Sequence, residues 1–228
     1  ASQDTSPSGL AFSTDGTKMY VLGGLNDSVF QYNLSPAFSV STASYDSVSF
    51  SVASQDVFPQ AIVFNNDGTK MYVAGQQNDR VYQYTLSTAF DLSTASYDSV
   101  SFSFASQAAT PRGLAFSTDG TKMYIQDSPT AKVYQYTLST AFDLSTASYA
   151  SLSFDYSSQD LYAEALTFNA DGTKMYLSGA QTDTVYQYTL STAFNVSTAS
   201  YNSVSLSVNS QETNPTGLAF STDGTKMY

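Results

Sequence analysis

The chain has 228 residues, 42% of them apolar, and a formal net charge of −11, with neither cysteine nor histidine. That composition excludes disulfides, thiolate nucleophiles, Cys/His zinc sites and an imidazole base titrating near neutrality. The acidic balance argues against a nucleic-acid backbone or an anionic bilayer as partner, since both demand clustered Lys and Arg, and no apolar run is long enough to insert in a membrane.

The hexapeptide Asp-Gly-Thr-Lys-Met-Tyr begins at Asp15, Asp67, Asp119, Asp171 and Asp223, always 52 residues apart. A fixed period of that length marks an array of one structural unit. The repeats run 1–52, 53–104, 105–156 and 157–208, with a partial fifth at 209–228 that follows the pattern of residues 1–20. Residues 1–228 are therefore read as one repeat domain.

Within the second repeat the elements follow in order. Ala61-Ile62-Val63-Phe64 is an apolar run too short for a helix, and the Asp67-Gly68 pair after it supplies the positive φ of a tight hairpin turn. Lys70 to Ala74 reads as a second strand, Gly75 to Asp79 as a polar loop and Arg80 to Leu86 as a third strand. Beyond the connection Ser87 to Ala95, the segment Tyr97 to Phe104 alternates Ser99, Ser101 and Ser103 with Val100, Phe102 and Phe104, the pattern of an outer strand with one wet face. Four antiparallel strands per repeat, without helical periodicity, predict an all-β protein: a β-propeller with one four-stranded blade per repeat. A β-solenoid fits less well, because its coils are usually about half this length.

Residue 228 falls inside a predicted strand, just before the position held by Val21, Val73, Ile125 and Leu177. Four blades closing alone, a segment of a longer propeller and protomers meeting end to end as a homo-oligomer or filament all fit, with the longer chain favoured.

The four repeats differ unevenly. The turn between the first two strands and the connection between the last two hardly change, whereas the loop into the first strand and the loop between the second and third vary throughout. Apart from the five turn lysines, the basic residues are Arg80, Arg112 and Lys132, all in the variable loops. Fixed frames with differing loops are where recognition is usually built. The candidate binding residues are Phe58, Gln60, Gln76, Gln77, Arg80, Arg112, Lys132, Tyr162, Glu164 and Asn26; aromatic and amide side chains of this kind suit a glycan or a polar protein surface. The main expectation is thus a non-enzymatic adhesion propeller, extracellular on a cell or virion surface, with no catalytic residues, metal or cofactor. The alternatives are a structural, self-assembling protein and a lactonase-like hydrolase. For the last, the one candidate cluster is Glu164, Asp160 and Asp127 with Arg112.

Two smaller expectations concern residues constant across the repeats. The turn lysines Lys18, Lys70, Lys122, Lys174 and Lys226 are expected to cover their own turns. Gln3, Gln55, Gln107, Gln159 and Gln211 are expected to bond backbone between blades. Each Asp-Gly turn brings only one acid, too few oxygens for an EF-hand-like calcium loop.

The phrase Gly-Leu-Ala-Phe-Ser-Thr-Asp-Gly-Thr-Lys-Met-Tyr-Val at residues 9–21, repeated with small changes, resembles the SPDG-type strand-turn-strand signature of YVTN-type propellers. It covers about 13 residues of each 52. Proteins carrying that signature range from lactonases to cell-surface and adhesion proteins, so the resemblance implies a blade and leaves the activity open. The remainder of each repeat is similar to long repetitive arrays in secreted or phage-borne microbial proteins. The His and Asn ligands that hold calcium in lactonase-like propellers have no match here.

Overall fold

A computed structural model describes residues 3–228. The four repeats form four sheets, each of four antiparallel strands in chain order. The first contains β1 (Pro7–Phe12), β2 (Lys18–Gly23), β3 (Ser28–Asn33) and β4 (Ser44–Ser51). The second contains β5 (Pro59–Phe64), β6 (Lys70–Gly75), β7 (Arg80–Leu86) and β8 (Ala95–Ser103). The third contains β9 (Pro111–Phe116), β10 (Lys122–Asp127), β11 (Lys132–Leu138) and β12 (Ala147–Asp155), and the fourth β13 (Ala163–Phe168), β14 (Lys174–Gly179), β15 (Thr184–Leu190) and β16 (Ala199–Ser207). This is the expected propeller construction, one blade per repeat. The helical content among the described residues is limited to single 3-10 turns such as Leu92–Thr94 in the connection before β8.

The chain divides into two compact units, Ala1–Ser103 with Ala219–Tyr228, and Phe104–Leu218. The first contains blades 1 and 2, the second blades 3 and 4. In each, the core lies between neighbouring blades. Phe50 of β4 meets Tyr84 of β7 edge-on at 5.4 Å, and Phe154 of β12 meets Tyr188 of β15 at 5.0 Å. Both tyrosines are fully buried. Burying an aromatic or aliphatic side chain of this size contributes about 1.5 to 3 kcal/mol, so the blade faces dominate the stability of each unit.

The hairpin turn forms as expected, with Gly68 at φ +71°. At two of the five turns the constant lysine reaches beyond its own turn. Lys18 Nζ donates to the carbonyl of Phe90 in the next blade at 3.1 Å, and the Tyr20 hydroxyl donates to the same oxygen. Lys226 repeats the contact with Phe38 at 3.3 Å. The lysine is long enough to leave its own turn and satisfy a carbonyl that the adjacent 3-10 connection leaves open. The repeated glutamines also differ from expectation. The side-chain oxygen of Gln3 accepts from the Tyr32 hydroxyl at 2.7 Å and that of Gln55 from Tyr84 at 3.3 Å, which satisfies a half-buried and a buried phenol, each within one repeat.

The outer strand departs from simple alternation. Gln83 faces Val100 and Tyr84 faces Tyr97, so two residues of β8 are extruded between them, and Ser99 takes φ +58°. This bulge interrupts the period of two that the serines display in the sequence.

Candidate functional site

Each innermost strand carries a bulge at one repeat position, and the residue there changes from blade to blade. In β9, Pro111 faces Asp127 and Gly113 faces Gln126, which leaves Arg112 extruded. In β13, Ala163 faces Gly179 and Ala165 faces Ser178, which leaves Glu164 extruded. Blades 1 and 2 place Ser8 and Gln60 in the same way. A bulge unpairs one residue and turns its side chain away from the ladder, which is why bulges gather next to functional sites. Here it presents four unlike side chains on one repeated backbone.

In the second unit two of these meet. Arg112 Nε lies 3.4 Å from Glu164 Oε2, with their side chains 30% and 17% exposed. Gly113 allows the approach, because a Cβ there would stand 2.7 Å from the Leu166 Cβ and 2.9 Å from its backbone nitrogen. Burial pushes the Glu164 carboxyl above its ordinary range, while Arg112 pulls it down and Asp160 adds to the rise. A partly wet carboxylate with a raised pKa beside a guanidinium has the character of a general base with an electrophilic neighbour.

The other acids of the expected cluster have a different role. Asp160 Oδ1 accepts from Tyr162 N at 2.7 Å, and Oδ2 from Thr182 N at 3.0 Å and Thr182 Oγ1 at 2.7 Å. Asp127 Oδ1 accepts from Ala109 N and Thr110 N at 3.1 and 2.8 Å, and Oδ2 from Thr130 N at 3.1 Å. Asp56 does the same in blade 2 for Phe58 N, Gln77 N and Asn78 N. These carboxylates are acceptors that hold two loops together, and two of the donors to Asp127, Thr110 N and Thr130 N, are the repeat equivalents of Phe58 N and Asn78 N at Asp56.

The equivalence exposes an exchange. Asp4, Asp56 and Asp160 each face a glycine, and a Cβ on Gly23, Gly75 or Gly179 would fall 2.2 to 2.4 Å from the carboxylate. In the third repeat alanine stands at 108 and aspartate at 127, so the carboxylate enters the same space from the opposite strand. Asp127 is therefore a loop staple. The signal was available in the aligned repeats as a reciprocal Asp/Gly to Ala/Asp change.

The remaining candidates are dispersed. Phe58 and Tyr162 are 55% and 54% exposed at the tips of the loops into β5 and β13. In the first unit Gln76 N donates to Phe58 O at 3.0 Å, Gln77 Oε1 accepts from Val57 N at 3.4 Å, and Asn26 Nδ2 donates to Gln3 O at 2.6 Å. Arg80 turns to Ser101 Oγ on the outer strand at 3.0 Å. Gln60 occupies the bulge of β5. Lys132 opens β11 and acts on Asp155, whose carboxyl it helps to lower after the Ser157 hydrogen bonds. Of the ten candidates, Arg112 and Glu164 form the charged pair. Among the described residues no three His, Cys, Asp or Glu converge in a way that would hold a metal ion, and the N–H donors already filling Asp127 and Asp160 do not fit a cation.

No protein-family model and no curated protein matches the chain. Solved structures do. A protein from Bacteroides uniformis described as a candidate 6-phosphogluconolactonase is similar with a TM-score of 0.59 at 10% identity, over 89% of this chain and 55% of that one. A second protein so described, from Bacteroides fragilis, gives 0.59 at 13% identity, over 91% and 55%. A protein of unknown function from Desulfotomaculum acetoxidans gives 0.57 at 13% identity, over 97% and 62%. The chain thus spans between about half and three-fifths of these neighbours' lengths. At such identity the likeness establishes the fold. It also corrects the main expectation: the named neighbours on this fold carry a lactonase description, so the non-enzymatic adhesion propeller and the assignment as no enzyme are set aside. In every particular these comparisons reach, the chain is a β-propeller protein similar in fold to the candidate 6-phosphogluconolactonases.

Proposed function

We propose that this chain is part of a lactonase-like hydrolase in which Arg112 and Glu164 do the chemistry. The observation that carries the proposal is their pairing at 3.4 Å on the bulges of adjacent innermost strands. The neighbours' description as candidate 6-phosphogluconolactonases supports the reaction class, and the SPDG-like phrase at residues 9–21 supports a place among YVTN-type propellers. In this reading Glu164 takes a proton from water as the water oxygen bonds to the lactone carbonyl carbon, and Arg112 faces the oxyanion that forms. Collapse breaks the ring C–O bond, and Glu164 returns its proton to the departing alkoxide to leave a hydroxy acid. An extracellular setting goes with the proposal, supported by few lysines and no thiol to oxidise. No helix among the described residues is long and apolar enough to cross a membrane.

The test is lactone hydrolysis by the purified chain, followed by pH-stat with 6-phosphogluconolactone and with unphosphorylated lactones. Glu164→Gln should lower kcat by about 10² to 10⁴ with folding intact. An unchanged rate in that variant, or no hydrolysis of any lactone by the parent chain, removes the proposal.

A further inference from the structure

Blade 3 carries a buried polar strap that blades 1 and 2 lack. Gln126, fully buried on β10, donates through Nε2 to the Ala163 carbonyl at 2.8 Å and to the Tyr156 hydroxyl. Tyr156, also fully buried, donates in turn to the Asp127 carbonyl at 2.9 Å. The repeat-equivalent positions hold Leu22 and Ala74 in place of Gln126, and Val52 and Phe104 in place of Tyr156. Polar side chains have replaced apolar ones in the interior at two places that touch each other, at a desolvation cost that apolar residues avoid.

The strap reaches the backbone on both sides of the charged pair. Gln126 and Asp127 are the two residues facing the Arg112 bulge, opposite Gly113 and Pro111. Ala163, whose carbonyl Gln126 holds, immediately precedes Glu164. One amide group thus connects the strand that frames Arg112 to the residue before Glu164. Tyr156 fixes that amide from behind.

We propose that Gln126 and Tyr156 are positioning residues for the Arg112–Glu164 pair, holding β10 against the start of β13 so that the two bulges present their side chains to each other. The placement follows from the backbone, while its catalytic meaning rests on the hydrolase reading. A half-buried ion pair is sensitive to small separations and to water, so a loosened strap changes both partners. The titratable or charged groups facing Glu164 are Arg112 from β9, Asp160 from the loop before β13 and Tyr156 from the end of blade 3, with Asp127 beyond it. Loosening the strap exposes the Ala163 carbonyl to water and relieves the desolvation of Glu164.

The chain itself supplies replacements that its blades tolerate: Gln126→Leu copies Leu22, and Tyr156→Phe copies Phe104. The measurement is the Glu164 titration by carboxyl-carbon NMR in the full chain, alongside the pH profile of hydrolysis. In Gln126→Leu the Glu164 pKa should fall toward the ordinary glutamate value, because relief of burial, the largest influence on it, outweighs the weakened pull of Arg112, and the acidic limb of the profile should move with it. The rate should drop about tenfold through misplacement of the pair. Tyr156→Phe should give a smaller change of the same sign, because Gln126 keeps its bond to Ala163. If both variants fold and Glu164 titrates as in the parent, the proposal is overturned; should Gln126→Leu fail to fold, Tyr156→Phe alone decides it by the same criterion. A shifted titration in a chain without lactone hydrolysis would uphold the positioning role and reject the hydrolase reading.

Discussion

Asp56 and Gly75 are one device written in two residues. The Asp56 carboxylate fills the space a Gly75 side chain would take, and it accepts the N–H groups of Phe58, Gln77 and Asn78. Asp56→Ala leaves those donors without their acceptor and should cost about 3 kcal/mol, read as a lower urea midpoint. Gly75→Asp alone should also destabilise, because its Cβ would lie 2.2 Å from the Asp56 Cγ. The double variant recreates the arrangement of Ala108 and Asp127 and should recover most of the loss, a coupling of the kind that neighbours sharing one site show. A double variant no more stable than the worse single would defeat the argument. The case also marks what was legible in the sequence. Glu164 and Arg112 stand one period apart, so their meeting could be anticipated from the repeat. Asp127 looked catalytic because its carboxylate serves the same loop from a position 19 residues away from that of Ala108, and position is what a reading by residue type follows.

Among the elements, the inner strand and its bulge carry the site. The four strands per blade were readable because short apolar runs alternate with Gly, Asp and Asn turn signals. The bulges were not, since an extruded residue in a six-residue strand leaves the composition unchanged and appears only once the register to the neighbouring strand is known. The same limit explains the lysines and glutamines, whose partners Phe90, Tyr32 and Tyr84 are fixed by how strands pack. Gly113 tests the inner strand directly. Gly113→Ala places a Cβ against Leu166, so β9 and β13 must separate by a few tenths of an ångström or more. The expected cost is about 1 to 3 kcal/mol in denaturant unfolding. Hydrolysis should fall with it because Arg112 moves away from Glu164. Gly9→Ala makes the repeat-equivalent change in the other unit, where the new Cβ would stand 3.2 Å from Ile62 Cγ2, and should leave the rate unaltered, which separates a local effect on the pair from general loss of stability.

For the whole molecule, the repeated turns set the response to acid. The turn carboxylates Asp15, Asp119 and Asp223 are held below their ordinary range first by the hydroxyls of Ser13, Ser117 and Ser221 and then by a turn N–H, the last reaching about 2. Asp67 and Asp171 are lowered chiefly by the Thr69 and Thr173 hydroxyls. Asp91 and Asp155 are lowered by Ser93 and Ser157. A carboxyl whose folded pKa lies below its unfolded value favours folding above the unfolded value and loses that contribution as pH falls through the folded one. Glu164 and Asp27, raised mainly by burial, act oppositely: they weaken the fold at neutrality and restore that stability as pH falls through their folded values toward the lower unfolded ones. Acid also relieves the repulsion of a chain carrying −11 at neutrality. The thermal midpoint should therefore hold or rise slightly from pH 7 to about 5, then fall steeply between about 4 and 2 as the unfolded chain takes up protons that the turns resist. Replacing Ser117 by alanine removes the hydroxyl that contributes most to lowering Asp119, and should flatten the acid limb while lowering the midpoint at pH 7. A midpoint that declines evenly across the range would place the acid response in the overall charge and not in the turns.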